Sequence, residues 1–204
     1  EIRSQTLLRH IVVTSLADYL PQWKQRALRL PLRPIKRKRA ELVTSLPPDR
    51  DASDFCALLE AALDIPSQAH VEPATDLAVL QYTGGTTGLP KGAMLTHRNL
   101  VANAYQTRAW DPRIVEGRET TMCALPLFHV YGLTLGLLTS VLSAGRLVLM
   151  PKFDVEMVLD AAVREKPTIF PGVPPMYAQV NERAGSGSYD LSSIRTCVSG
   201  AMRL

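Results

Sequence analysis

From residue 76 onward, short apolar runs alternate with longer segments whose apolar residues recur at helical spacing. The pattern predicts strands at 77–82, 120–124, 146–150, 168–170 and 194–198. It predicts helices at 96–110, 132–143, 155–166 and 174–184. Such alternation is typical of βαβ units, in which helices cover a mostly parallel sheet on both faces. The sequence therefore predicts an α/β fold.

The ends of these helices carry local signals. Thr96 and Asp154 occupy N-cap positions. Pro167 stops the helix at 155–166, and the helix at 132–143 is predicted to end near Gly145. The helix at 96–110 is predicted to face inward through Leu100, Val101, Ala104 and Tyr105. A parallel sheet needs cover on both faces, and no helix follows the last predicted strand, so the sequence is expected to be truncated after Leu204.

Residues 1–75 are predicted to form a less regular N-terminal region, and residues 76–204 an α/β subdomain. The first region begins with a short buried strand at 11–14. An irregular connection with some helix follows at 21–48. A helix at 54–63 ends before Pro66, and its predicted apolar stripe consists of Phe55, Leu58, Leu59 and Ala62.

Basic charge is concentrated near the N-terminus. Residues 1–50 carry 11 Lys or Arg and 4 Asp or Glu, although the whole chain has a net charge of only +4. The excess peaks at Arg33, Lys36, Arg37, Lys38 and Arg39. A solvated loop or helix face is the simpler interpretation, and contact with an anionic membrane surface is the functional alternative. Few aromatic residues accompany the cluster, which argues against nucleic acid as a partner.

The remaining composition is that of an ordinary globular protein, with 46% hydrophobic and 21% charged residues. Cys56, Cys123 and Cys197 are widely spaced and form no metal-binding motif. They suggest core thiols in a reducing compartment, and we therefore expect a cytoplasmic location. Peripheral contact with the inner face of the membrane is a further possibility.

Residues 83–91 contain three Gly, three Thr and one Lys directly after a predicted strand. Glycine lets backbone N–H groups approach an anion closely, and the hydroxyls and the Lys91 ammonium add further donors. The composition predicts a phosphate-binding loop between a strand and a helix, involving Tyr82, Thr83, Gly84, Gly85, Thr86, Thr87, Gly88 and Lys91. A simple surface turn is the alternative.

The loop fits neither of the two commonest phosphate motifs. In the P-loop of NTPases a Ser or Thr follows the Lys, whereas Gly92 follows Lys91 here. The dinucleotide fingerprint fails because Gly84 and Gly85 are adjacent.

A second landmark is Leu125-Pro126-Leu127-Phe128-His129-Val130-Tyr131-Gly132, directly after the predicted strand at 120–124. Ligands of open α/β sheets gather at the carboxyl ends of strands, so His129 could face a ligand. A structural histidine is an equally good interpretation from position alone. The strand-to-helix turn at 172–177 is similarly open to a packing or a ligand-binding role.

The run Tyr-Thr-Gly-Gly-Thr-Thr-Gly-x-x-Lys-Gly at 82–92 resembles the signature of the adenylate-forming enzymes, and its continuation at 94–100 is similar to long-chain fatty-acid–CoA ligases. Pro-x-x-His at 126–129 resembles a second motif of that family. The resemblance implies that the chain is part of the large N-terminal domain of such an enzyme. It extends from about residue 76 to residue 200, and more loosely before.

The resemblance also implies roles for individual residues. The loop to Lys91 would hold the β- and γ-phosphates of ATP, and His129 would orient the acyl carboxylate, which makes these two the expected catalytic residues. Gly200 and Ala201 would lie against the adenine and the acyl chain. Phe128, His129, Tyr131, Val173 and Pro174 would border the acyl pocket.

The chain departs from the family pattern at two places. Leu133 stands where some long-chain members have a gating Trp, and Arg203 stands where Pro is usual. The segments that would supply the Mg²⁺-binding Glu, the ribose-binding Asp and the C-terminal Lys are expected beyond Leu204, so no metal ligand is assigned in this chain.

The implied activity is ATP-dependent activation of a fatty acid as acyl-AMP, followed by transfer to coenzyme A. ATP, Mg²⁺ and coenzyme A are the implied cofactors and co-substrate, and the missing C-terminal part is the implied partner. Two alternatives remain open: transfer of the acyl group to a carrier protein, and a non-catalytic nucleotide- or acyl-binding module.

Overall fold

The computed structural model describes residues 5–44, 52–62, 70–83, 90–185, 187 and 189–202. They belong to two compact units, residues 1–69 and residues 70–204. Each unit has its own secondary structure and is described separately.

The first unit pairs two short parallel strands, β1 (Ile11–Val13) and β2 (Ala52–Asp54), with Ile11 opposite Ala52. A 3₁₀ turn at Leu16–Tyr19 follows β1 and leads to α1 (Gln22–Ala27) and α2 (Arg33–Leu42). The region predicted to be largely irregular is therefore mostly helical. Its helices have no fully buried side chain, which explains the weak apolar periodicity of the sequence.

The last helix of this unit is α3 (Phe55–Ala61), and Asp54 caps it by accepting a hydrogen bond from the backbone N–H of Ala57 at 2.9 Å. Two sequence expectations are wrong here. The strand β1 is not buried, since Val12 is half exposed, and Leu58 and Leu59 of the predicted apolar stripe are also substantially exposed. The predicted helix end before Pro66 lies outside the described residues.

The second unit opens with an antiparallel hairpin, β3 (Leu77–Thr83) and β4 (Lys91–Thr96), that forms a two-stranded sheet. Strand β4 is not predicted from the sequence, whose pattern places a helix directly after the loop. Its apolar residues are few and mostly exposed, so the strand is defined by pairing with β3 instead of by its own pattern.

Helix α4 (His97–Trp110) begins as predicted, because the Thr96 hydroxyl accepts the Asn99 N–H at 3.3 Å while the Asn99 side chain accepts the Thr96 N–H at 3.0 Å. Its inward face is narrower than predicted. Ala104 is buried, but Val101 and Tyr105 are more than half exposed.

The main sheet is parallel, with strand order β6 (Arg146–Leu149), β5 (Thr120–Cys123), β7 (Ile169–Gly172) and β8 (Thr196–Ser199). Helices α6 (Val155–Glu165) and α7 (Pro174–Gly185) pack on each other and on this sheet. As predicted, Asp154 caps α6 through the Met157 N–H. The α/β fold class is confirmed: a mostly parallel sheet is flanked by helices.

A π-helical segment (Gly132–Leu138) continues into α5 (Thr139–Leu142) and packs against β5, β7 and α4. The Thr139 N–H bonds to the Thr134 carbonyl, five residues back, as a π-helix requires. Gly136 permits the close approach to β5, because a Cβ there would lie 2.5 Å from the Cys123 sulfur. The helix ends near Gly145, as predicted, and the residue with a left-handed φ after α5 is Ala144.

At the amino ends of β5, β7 and β8, two buried carboxylates tie the strands together. Asp111 accepts bonds from Arg113 at 2.8 and 2.9 Å and from the Thr196 hydroxyl at 2.8 Å. Glu119 accepts the Thr168 hydroxyl and an Arg195 guanidinium N–H. The opposite, carboxyl edge of the sheet is left open for a ligand.

Candidate functional site

His129 lies in the turn between β5 and the π-helical segment, at the carboxyl edge of the sheet. Its backbone N–H donates to the Pro126 carbonyl at 3.1 Å, and its carbonyl accepts the Leu133 N–H at 2.9 Å. The ring Nδ1 accepts the backbone N–H of Tyr131 at 3.1 Å. Because Nδ1 acts as an acceptor, the proton of the neutral ring is on Nε2. The ring is therefore fixed with a donor available to an anionic ligand.

Tyr131 is anchored to the ends of two neighbouring strands. Its hydroxyl lies 2.6 Å from the Val198 carbonyl oxygen and 3.1 Å from that of Gly172. Its ring lies against Gly200, where a Cβ would come within 3.2 Å of the ring. Burial raises the pKa of the Tyr131 hydroxyl, so it remains a neutral donor.

A second tyrosine, for which the sequence predicts no role, reaches the same carbonyl. The Tyr177 hydroxyl, on α7, lies 2.7 Å from the oxygens of Val198 and Phe170. Burial is again the main cause of its raised pKa. We call Tyr131, Tyr177 and the Val198 carbonyl the tyrosine clamp. It holds the end of β8 immediately before Ser199-Gly200-Ala201.

Two cavities meet at this edge of the second unit. The larger, of about 590 Å³, has mostly apolar walls. Its lining comprises Ala124, Leu125, Pro126, Phe128, His129, Tyr131, Met150, Pro151, Lys152, Phe153, Val173, Met176, Ala201 and Met202. Five predicted site residues are thus brought together: Phe128, His129, Tyr131, Val173 and Ala201.

The smaller cavity, of about 350 Å³, has several polar residues in its lining. Its lining comprises Asn103, Thr107, His129, Val130, Tyr131, Thr134, Leu135 and Ala201. His129, Tyr131 and Ala201 line both cavities. These three residues form the junction of the cavities, and one ligand could contact both from there.

Two predicted site residues, Gly200 and Pro174, are absent from the described lining of both cavities. Gly200 supports the Tyr131 ring and donates its N–H to the Gly172 carbonyl at 3.3 Å. Ala201 has a left-handed backbone with φ of 63°. Pro174 is the first residue of α7. Phe128 is 88% exposed, so its ring lies at the rim.

The predicted phosphate loop is only partly described. Tyr82 and Thr83 end β3, Lys91 begins β4 opposite Thr83, and the Thr83 hydroxyl donates to the Lys91 carbonyl at 3.3 Å. Lys91 is exposed and is absent from the described lining of both cavities. The other predicted members of the loop lie outside the described residues: Gly84, Gly85, Thr86, Thr87 and Gly88.

The described residues contain no group of three or more His, Cys, Asp or Glu side chains that could hold a metal ion. None of their helices is long and apolar enough to cross a membrane.

Three features identify the class of protein: the parallel sheet, the β3–β4 hairpin with the glycine-rich sequence between its strands, and the histidine at a strand end. The chain is part of the N-terminal domain of an adenylate-forming enzyme. The sequence profile of the AMP-binding enzyme family matches residues 7–204, and the chain belongs to that family.

Relatives and a solved structure agree with this assignment. A long-chain-fatty-acid–CoA ligase of Bacillus subtilis is 37% identical over 204 residues, which are 100% of this chain and 36% of the relative. 4-Coumarate–CoA ligase 2 of Nicotiana tabacum is 41% identical over 143 residues, 69% of this chain and 26% of the relative. The anthranilate CoA ligase AuaEII in complex with anthranoyl-AMP is 25% identical, with a TM-score of 0.68 over 100% of this chain and 34% of that chain.

The chain thus spans about a third of the length of these relatives. All three relatives are named as CoA ligases, but their names give different acid substrates.

Proposed function

We propose that this chain forms part of a CoA ligase that activates a long-chain fatty acid as acyl-AMP. The observation that carries the proposal is the junction of His129, Tyr131 and Ala201, where a donor-bearing histidine lies between two cavities. A carboxylate and a phosphate are both anions, and both could meet the Nε2–H of His129.

In the proposed reaction, a carboxylate oxygen bonds to the α-phosphorus of ATP while the bond to pyrophosphate breaks. The sulfur of coenzyme A then bonds to the acyl carbon, and AMP leaves. Such steps depend on positioning and on stabilising developing charge more than on covalent help from the protein. We assign the Nε2–H of His129 to the oxygens at the reacting centre, and Lys91 with its loop to the leaving pyrophosphate.

Tyr82 and Thr83 place that loop at the end of β3, and Lys91 begins the returning strand. Gly200 and Ala201 follow β8 at the same edge as His129 and are proposed to border the adenylate. Mg²⁺ is expected with ATP, but the described residues offer no ligand cluster for it, and no step is assigned to the metal.

The choice of a fatty acid rests on two supports. The larger cavity is walled mainly by apolar side chains, among them three Met and two Phe, which suit an alkyl chain. A curated relative that aligns with the whole chain is a long-chain-fatty-acid–CoA ligase. Coenzyme A is preferred over a carrier protein as acceptor because the relatives are CoA ligases.

The test is a substrate panel with a full-length protein that contains this chain. Pyrophosphate release is measured with ATP and with saturated acids of increasing length, 4-coumarate and anthranilate. We expect the highest kcat/KM for a long-chain acid and formation of its CoA thioester. Preference for an aromatic acid would overturn the substrate assignment, and absence of pyrophosphate release with every acid would overturn the adenylation itself.

A further inference from the structure

The segment 22–42 of the first unit, comprising α1, its connection and α2, has an unusual distribution of charge. Between Gln22 and Ala40 the sequence has eight Lys or Arg and no Asp or Glu. These basic residues are Lys24, Arg26, Arg29, Arg33, Lys36, Arg37, Lys38 and Arg39. The described residues give α2 one ion pair, between Arg37 and Glu41. Among the residues that the structure describes, most of the positive charge of the segment therefore has no ion-pair partner.

Helix α2 presents this charge from a fixed scaffold. Its half-buried residues, Ile35 and Leu42, are seven positions apart and share one stripe. The Leu42 carbonyl accepts the Ser15 hydroxyl at 2.7 Å, and the same hydroxyl accepts the Thr44 N–H at 3.2 Å. With this stripe turned to its own unit, the helix leaves Arg33, Lys36, Arg37, Lys38 and Arg39 exposed.

Exposed apolar side chains accompany the charge. Trp23, Leu30 and Leu32 are 67%, 51% and 56% exposed, and all lie within the same segment. Lys24 lies over the Trp23 ring at 5.3 Å from its centroid. Exposed Trp and Leu beside Lys and Arg characterise surfaces that insert into the lipid headgroup region, where the apolar groups leave water and the cations meet lipid phosphates.

We propose that segment 22–42 is a docking surface for membranes that contain anionic lipids. Leu30 and Leu32 enter the headgroup boundary, Trp23 lies at its level, and the basic side chains contact phosphates. Nucleic acid would use the same charge but would leave Leu30 and Leu32 in water. The proposal goes beyond the ligase function and can fail or succeed independently of it.

The test is cosedimentation of the protein with vesicles of phosphatidylcholine, with and without phosphatidylglycerol, at low and high salt. We expect binding only to the anionic vesicles and at low salt. The double variant Lys36→Gln/Arg39→Gln should bind roughly thirty-fold more weakly, from about 1 kcal/mol for each cation near the surface. Gln preserves helix propensity, so α2 should persist.

The matched control is Arg98→Gln/Arg118→Gln, which removes two exposed cations from the second unit and should leave vesicle binding unchanged. Equal loss in both double variants would overturn the proposal, because net charge alone would then explain binding.

Insertion is measured by Trp23 fluorescence in a Trp110→Phe background, which leaves one tryptophan in the chain. We expect a blue shift with anionic vesicles and none with duplex DNA. An unshifted spectrum, or equal affinity for DNA and vesicles, would identify a general polyanion surface and overturn the lipid assignment.

Discussion

At the scale of single residues, the two nitrogens of His129 have separate tasks. Nδ1 accepts the Tyr131 N–H and fixes the turn, whereas Nε2 remains to donate. The sequence motif could identify the residue, but the tautomer depends on the backbone conformation of residues 129–131, which the motif does not encode. The two tasks can be separated by substitution.

His129→Asn places an acceptor near the position of Nδ1 and removes the distal donor, whereas His129→Gln supplies a distal donor. In a full-length protein, we expect His129→Asn to lower kcat for acyl-AMP formation by ~10²–10³, as loss of one donor at a reacting oxygen does. His129→Gln should retain more activity. Pyrophosphate release under saturating substrates measures both, and equal activity of the two variants would remove the donor role.

The tyrosine clamp makes a residue-scale prediction about stability. Tyr131→Phe and Tyr177→Phe should each lower the free energy of unfolding by about 1 kcal/mol, since each leaves one hydroxyl near the Val198 carbonyl. The double variant should lose more unfolding free energy than the two single variants together, because the Val198 carbonyl oxygen then loses both donors. Denaturant unfolding of the wild type, the two single variants and the double variant gives the coupling free energy between the two tyrosines. Strictly additive losses of unfolding free energy would contradict a shared acceptor.

At the scale of elements, local signals in the sequence predicted local structure well. Thr96 and Asp154 cap α4 and α6 where expected, because a cap depends on residues within one turn. The strand β4 was missed because its partner defines it. The convergence of Tyr131 and Tyr177 was also missed, since it depends on β7 and β8 being neighbours in the sheet. Contacts between residues far apart in the sequence produce no local sequence pattern from which they could be predicted.

Gly136 provides an element-scale test of how the π-helical segment packs on β5. Gly136→Ala should lower the free energy of unfolding by about 1–3 kcal/mol, because its Cβ would overlap the Cys123 sulfur. Gly185→Ala is the control, since a Cβ there meets no atom within 4 Å. In a Cys123→Ala background, Gly136→Ala should become nearly neutral. An equal loss of unfolding free energy in both backgrounds would show that contact with the Cys123 sulfur is not what excludes a side chain at residue 136.

At the scale of the whole molecule, the carboxylates at the amino edge of the sheet link stability to pH. The hydrogen bond from Arg113 is the main cause that lowers the pKa of Asp111 to about 2. Burial tends to raise the pKa of Glu119, but bonds from Thr168, the Val115 N–H and Arg195 outweigh it and leave the pKa lowered. Both groups therefore favour the folded state when ionised.

For a carboxyl group with a lowered native pKa, the stabilisation is complete above the unfolded pKa and is lost as pH falls through the native value. For Asp111 this window runs from about pH 4 to about pH 2 and accounts for about 2 kcal/mol. Asp111→Asn should flatten the decline of unfolding free energy across this range. Gln179→Ala, which removes an exposed and uncharged side chain, is the control and should keep the wild-type slope.

The π-helical segment has a consequence for how this fold can diversify. A π-turn is equivalent to one residue inserted into an α-helix. Deleting one residue within 132–138 would restore α-helical bonding and rotate the flanking side chains by about 100° relative to each other. Thr134 and Leu135 line the smaller cavity from this segment. A single codon lost or gained here would therefore reshape a ligand pocket while the strands beneath it stay in register.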